Sequence, residues 1–175
     1  MRLLGTTVFA ASLLSSLSAA SADAPRFSEV TWPFLIDQWG LGRAFACKAA
    51  DCGVDVTLYL RAKAGFCNCT TGVADDEEVE RVGDLNLFGT NAQGMASGAP
   101  VSVDWMKGRS RAFVVVVGGG ESPRFATTIA LNNKCDAIIA TVVANRPVSP
   151  DIERAAVEFL GSAPLLGWAR ANTGL

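Results

Sequence analysis

The sequence contains no histidine. That absence removes Ser-His-Asp and Cys-His catalysis, His-ligated zinc and ordinary haem ligation together. Nor is there an excess of positive charge. Losing Arg2 with an N-terminal leader would leave 14 of the 15 Lys and Arg against 17 Asp and Glu, a net of −3. Such a chain lacks the basic footprint that nucleic acid requires and the polybasic handle that an anionic membrane would attract. Phosphate-binding signatures are missing as well. Gly118-Gly119-Gly120 follows a run of valines, but Ser122 and Pro123 come next, without the Lys-Ser/Thr of a P-loop or a G-x-G-x-x-G spacing. A strand, not a helix, is expected after it, so no helix N-terminus is at hand for a phosphate. The triplet reads as a connection between strands.

Charge is also missing from Leu3 to Ala22. Arg2 stands ahead of this run, and Leu3, Leu4, Val8, Phe9, Leu13, Leu14 and Leu17 make its apolar centre. Ala20-Ser21-Ala22 then supplies an A-x-A cleavage site, which completes a secretory signal. Residues 1–22 are therefore expected to be a signal peptide, with Asp23 the first mature residue. Cleavage after Ala24 would put Pro25 first and is disfavoured. The uncharged run is long enough to span a bilayer, but Ser and Thr between Thr6 and Ser18 weaken it and the cleavage motif follows at once. No stable membrane anchor is expected after cleavage, and no cysteine lies near the site to carry a lipid. The expected location is the periplasm or the extracellular space. Residues 23–175 have the length and apolar content of a single domain, undivided by a low-complexity linker.

What is present points to an α+β domain. Val54, Val56, Leu58 and Leu60 alternate with Asp55, Thr57, Tyr59 and Arg61, which predicts a strand with one buried face. Val101, Val103 and Trp105 alternate in the same way, and the run Arg111 to Val117 follows a predicted turn at Lys107-Gly108-Arg109-Ser110. That second arm is apolar on both faces, as in a central strand. Phe125–Leu131 and Cys135–Val143 predict another hairpin, turning at Asn132-Asn133. Asp75 is placed to cap a short acidic helix, with Glu78 at capping-box spacing. Ser149 and Pro150 open a second helix whose Ile152, Ala155, Ala156, Phe159 and Leu160 form one apolar stripe, stopped near Gly161. A further helical turn around Leu165 to Arg170 would bring Trp168 to the core. The expected architecture is an antiparallel sheet of about five strands, with the amphipathic C-terminal helix and the short acidic helix packed on it.

Four local features invite chemistry. Trp32, Phe34, Trp39 and Phe45 crowd an N-terminal stretch broken by Pro25 and Pro33. They fit a segment laid over a core by its aromatics, or an aromatic platform for a ligand such as a sugar. Asp75-Asp76-Glu77-Glu78, with Glu80, lacks the alternate spacing and central Gly of a calcium loop, and fits the charged start of a helix better than a weak cation site. Asn68-Cys69-Thr70 matches a glycosylation sequon, which matters only in a eukaryotic secretory pathway. Lys107 to Val114 has the charge pattern of an RRM strand without the needed aromatics, and reads as a hairpin tip.

The five cysteines are Cys47, Cys52, Cys67, Cys69 and Cys135. In an oxidising compartment, structural disulfides are the default, and an odd count leaves at least one thiol over or pairs it between molecules. Cys47, Cys52, Cys67 and Cys69 lie close in sequence, so bridges among them close short loops. Cys135 stands alone beside Ala137, Ile138 and Ile139, where a free cysteine buries well. The expectation is two bridges within the first four and an unpaired Cys135. The competitor is a Cys47–Cys52 bridge with Cys135 paired to Cys67 or Cys69. A C-x-C redox pair at Cys67 and Cys69, or a thiolate site for copper or zinc, stays open as an alternative use.

Trp32-Pro33-Phe34, Asp37-Gln38-Trp39-Gly40, Cys47, Cys52-Gly53 and Gly65-Phe66-Cys67-Asn68-Cys69 resemble a family of small uncharacterised exported bacterial proteins. The likeness extends to Trp105-Met106-Lys107-Gly108-Arg109 and implies a periplasmic location, but no activity. The element order also resembles the sheet-plus-terminal-helix accessory domains of the PsbP-like, photosystem-assembly type, a likeness of fold alone. No motif implies a cofactor or a set of catalytic residues. The sequence therefore predicts an exported non-enzymatic protein that binds a partner or small ligand, with cysteine-based redox or metal handling as the alternative.

Overall fold

Alternating side chains draw Val56–Lys63 into a strand, and hydrogen bonds along both its edges extend it into a sheet. The computed structural model describes residues 26–174, so the expected signal peptide at 1–22 lies outside the described residues. Among the described residues there are eight strands: β1 (Ser28–Val30), β2 (Arg43–Cys47), β3 (Val56–Lys63), β4 (Asn91–Gly94), β5 (Ala99–Val103), β6 (Met106–Val116), β7 (Arg124–Asn133) and β8 (Asp136–Ala144). The helices are α1 (Ala49–Cys52), α2 (Asp76–Val82), α3 (Pro150–Leu160) and α4 (Ala163–Asn172). Every pairing is antiparallel, in the order β1-β2-β3-β8-β7-β6-β4, with β5 also on β6. The class is the expected α+β, with eight strands in place of about five. The three additional short strands are β1, β2 and β4; β1 and β4 carry exposed or half-exposed side chains, while β2 is too short at five residues to show a period of its own. Their neighbours' backbones recruit them, so no hydrophobic period announces them.

Both faces of the sheet are covered. On one, Val56, Leu58 and Leu60 of β3 meet Ile129 and Leu131 of β7, Ile138 and Val142 of β8, and the buried sides of α3 and α4. Ser149 Oγ accepts the Ile152 N–H at 3.3 Å and Pro150 opens α3, as the capping residues predict. Ile152, Ala155, Ala156 and Leu160 of α3 are buried. Phe159 is half-buried, stacked on Phe27 and edge-on to Phe45, each at 5.0 Å between ring centroids. Phe159→Ala is therefore expected to cost about 2–3 kcal/mol in denaturant unfolding, less than full burial would give; a loss under about 1 kcal/mol would mean that the aromatic trio adds nothing to stability.

The opposite face carries α2 and the loops. Val79 and Val82 of α2, with Leu85 and Phe88, cover Phe113, Val115, Ala130 and Ile139. Asp75 Oδ1 accepts the Glu78 N–H at 2.8 Å, so the predicted N-cap forms. The reciprocal arm of a capping box does not, because the Glu78 carboxylate accepts from Asn68 N–H and Arg81. The strands buried on both faces are β7 and β8. In β6, Val116 is exposed and Val114 half-buried, which corrects the expectation of a fully covered arm at Arg111 to Val117.

Both predicted hairpins form, but their turns are displaced. The first turns at Asp104-Trp105, with Asp104 at φ 52°, and Lys107 to Ser110 belong to β6. Gly108 marks a close approach: a Cβ there would lie 1.9 Å from Ala130 O across the β6–β7 pair. The second turns at Lys134-Cys135, with Lys134 at φ 56°, while Asn132 and Asn133 remain paired in β7.

Candidate functional site

Period-two alternation assigns Arg61 to the side of β3 away from Leu58 and Leu60, which the sequence predicts to be solvent. The structure buries that side. Arg61 is 2 % exposed and Lys63 3 %, beneath the segment 31–42 that straps from β1 to β2. The strap is fastened by aromatics. Trp32 lies against the backbone of Gly42, where a Cβ would come within 2.5 Å of its ring. Phe34 packs on both Tyr59 and Phe88, with centroids at 5.3 and 5.5 Å, and Trp39 packs on Phe66 at 4.5 Å. The strap is thus laid over a core by its aromatics, as the composition suggests.

Four charges lock the strap to the sheet. Arg61 Nη2 lies 2.8 Å from Asp37 Oδ1 and Arg61 Nη1 3.2 Å from Asp84 Oδ1. Lys63 Nζ lies 2.8 Å from the same Asp84 oxygen and donates to Val82 O at 2.7 Å. Two cations thus face two carboxylates, and the group is neutral. The Arg61–Asp37 contact is ionic and is not aligned as a hydrogen bond, and Arg61 Nε has no hydrogen-bond partner among the described residues. Arg61 sits 5.4 Å over Trp32, and Lys63 5.1 Å from Phe66 and 5.6 Å from Trp39. Burial pushes the Asp37 carboxyl up, but the Trp39 N–H and the Arg61 guanidinium outweigh it and hold the group below the usual carboxylate range.

The outer side of the strap is apolar. Leu35 is 91 % exposed, Ile36 70 % and Leu41 64 %. From Val30 to Gly42 the only charged residue is Asp37, which faces Arg61.

The cysteines form two groups. Cys47 and Cys52 are bonded at 2.08 Å across α1. Cys69 is bonded to Cys135, and Cys67 is the free thiol. The expectation of two bridges among Cys47, Cys52, Cys67 and Cys69, with Cys135 odd, is thereby corrected: the competing pattern holds. Cys135 occupies the β7–β8 turn instead of an apolar strand start, which puts it beside the loop that follows β3. Cys67 is 6 % exposed and its Sγ lies 3.3 Å from Lys134 O and 3.5 Å from Asp136 O. Burial pushes its thiol up, the carboxylates of Glu78 and Asp136 add to this, and Arg81 opposes it only weakly. Such a thiol is a poor nucleophile at neutral pH.

The acidic run is consumed by structure. Asp76 accepts from Arg109 and from Gly98 N–H, Glu78 from Arg81, and Glu80 from Arg111. Arg109 and Arg111 therefore serve as ion-pair partners within β6 and not as a solvated hairpin tip. Asn68 Oδ1 accepts from Thr70 and Thr71 N–H, fixing the loop at the sequon. Among the described residues no three His, Cys, Asp or Glu come together to hold a metal ion. With Cys69 and Cys135 bonded to each other, Cys67 has no second thiolate beside it. Open clefts of about 260 and 390 Å³ meet at Asp55 and Asn145, beside Arg124 and Arg146, and one of about 320 Å³ lies between Trp39 and Asn172.

Fold and site together define a disulfide-braced α+β domain with an apolar surface tip. No protein-family model matches the chain, and no curated protein matches it closely. No helix among the described residues is long and apolar enough to cross a membrane.

Proposed function

We propose that this chain is an exported, non-enzymatic protein that binds a partner protein through the outer face of its strap. The observation that carries the proposal is the exposure of Leu35 at 91 % beside Ile36 at 70 % on a segment locked from beneath. An exposed aliphatic pair on a rigid support loses little entropy on docking, and exposed apolar groupings of this kind mark interaction sites. The partner is a protein with an apolar, uncharged groove. A lipid surface fits less well, since the tip has no Lys or Arg and the exported chain is acidic.

The export signal read from residues 1–22, two disulfides and the resemblance to small exported bacterial proteins all favour the periplasm. The burial and raised pKa of Cys67 weigh against its direct reaction with external disulfides, and the absence of a second free thiol among the described residues weighs against copper or zinc handling.

The test is a Leu35→Asp/Ile36→Asp variant. Its stability should stay within about 0.5 kcal/mol of the parent, as for other surface changes. With a photo-crosslinker at Gln38, expressed in the native host, the parent should give one discrete adduct that the variant loses at least tenfold. An adduct equally strong in the variant would overturn the proposal. So would an adduct that proves to be a second copy of this chain, or vesicle binding that the variant abolishes.

A further inference from the structure

Cys67 abuts the disulfide that excludes it. Its backbone N–H donates to Cys135 O at 3.0 Å, and its Sγ lies between the carbonyls of Lys134 and Asp136, the two residues flanking Cys135. A backbone hydrogen bond of that kind holds two residues at about the Cα separation that a disulfide needs. Cys69, the present partner of Cys135, is only two residues away and is exposed, whereas Cys67 is buried. Three cysteines thus converge on one hairpin turn, two of them within reach of the third.

We propose that Cys67 and Cys69 are alternative partners of Cys135, and that exchange between them moves the free thiol from the interior to the surface. The Cys67 thiolate attacks Cys135 Sγ, the Cys67–Cys135 bond forms as the Cys69–Cys135 bond breaks, and the leaving Cys69 thiolate takes up the proton. One disulfide is exchanged for another, so no oxidant or reductant is consumed. The product presents Cys69 in the exposed loop, where it can form a mixed disulfide with another protein thiol or be capped by a small disulfide.

The groups facing Cys67 set the rate. Glu78 and Arg81 of α2 and Asp136 of β8 surround it, and the two carboxylates with burial hold it as the thiol. Exchange is therefore slow at neutral pH and quickens by about tenfold per pH unit while the thiolate remains the minor form.

The experiment uses the purified oxidised protein. It is held without oxygen at pH 7 and at pH 9 with N-ethylmaleimide, then unfolded without reduction and mapped by peptide. Label is expected on Cys69, at least tenfold faster at pH 9, with a rate independent of protein concentration. The Cys67→Ser variant should take up no label in its folded state. The Cys69→Ser variant, isolated from an oxidising compartment, should contain a Cys67–Cys135 bridge and no free thiol. Label confined to Cys67, label on Cys135, a rate proportional to protein concentration, or two free thiols in the Cys69→Ser variant would each overturn the proposal.

Discussion

Replacing Asp84 by alanine is expected to cost about 3–5 kcal/mol, which is a large share of the stability of a domain this size. Among the described residues, Asp84 is the carboxylate within ion-pair distance of both Arg61 and Lys63, and all three are buried. Without it, Lys63 keeps the Val82 carbonyl and Arg61 keeps Asp37 at the strap, beside the aromatic rings that each faces. Two buried cations would then face the single carboxylate of Asp37, and opening the strap is what would hydrate the uncompensated charge. The companion variant separates a missing counter-ion from a missing shape. Asp84→Leu combined with Arg61→Met and Lys63→Met removes every buried charge, and should restore most of the lost stability. Urea unfolding of the parent and both variants measures the difference. Equal stability of parent and Asp84→Ala would show that the carboxylate is not the keystone described here.

The second large effect belongs to the Cys69–Cys135 bond. It joins positions 66 residues apart, whereas Cys47–Cys52 spans 5. On a chain-entropy account, the long bridge restricts the unfolded chain by about 4 kcal/mol and the short one by about 2. Cys69→Ala/Cys135→Ala should therefore lower Tm by roughly 10 °C, and Cys47→Ala/Cys52→Ala by about half as much. A larger loss from the short bridge would mean that native contacts around α1, and not loop closure, dominate.

The helices were legible because their signals are local. Ser149, Pro150 and the apolar stripe of α3 act within a few residues of one another, and Asp75 caps α2 three residues from the N–H it accepts. The hairpins were legible as pairs but not in register. Gly108 reads as a turn residue in isolation, and only the approach of Ala130 O explains it as a strand residue. The site was the least legible part. Nothing in the alternation around Tyr59 and Arg61 reveals that a strap from residues 31–42 will cover that side, because the cover lies on the other side of β2 in sequence. The aromatic crowding at Trp32, Phe34 and Trp39 hinted at a cover without naming what lay beneath. Proximity in sequence also misdirected the disulfide expectation. Cys67 and Cys69 are neighbours along the chain, but the β7–β8 turn brings Cys135 to them across the fold.

That same arrangement bears on how the chain assembles. The centre of the sheet is the β3–β8 pair, with Lys63 opposite Ala137 and the whole run from 64 to 136 between them. Contacts of such long sequence separation form late and slowly. The hairpins β5–β6 and β7–β8 need no such wait. The chain is thus built as a C-terminal hairpin array that must later capture the three N-terminal strands β1, β2 and β3. Cys69 and Cys135 lie just beyond the Lys63 end of the junction between these halves. A Cys69–Cys135 bond formed early tethers the two halves at that end, so the order of thiol oxidation during folding bears on how readily β3 and β8 find each other.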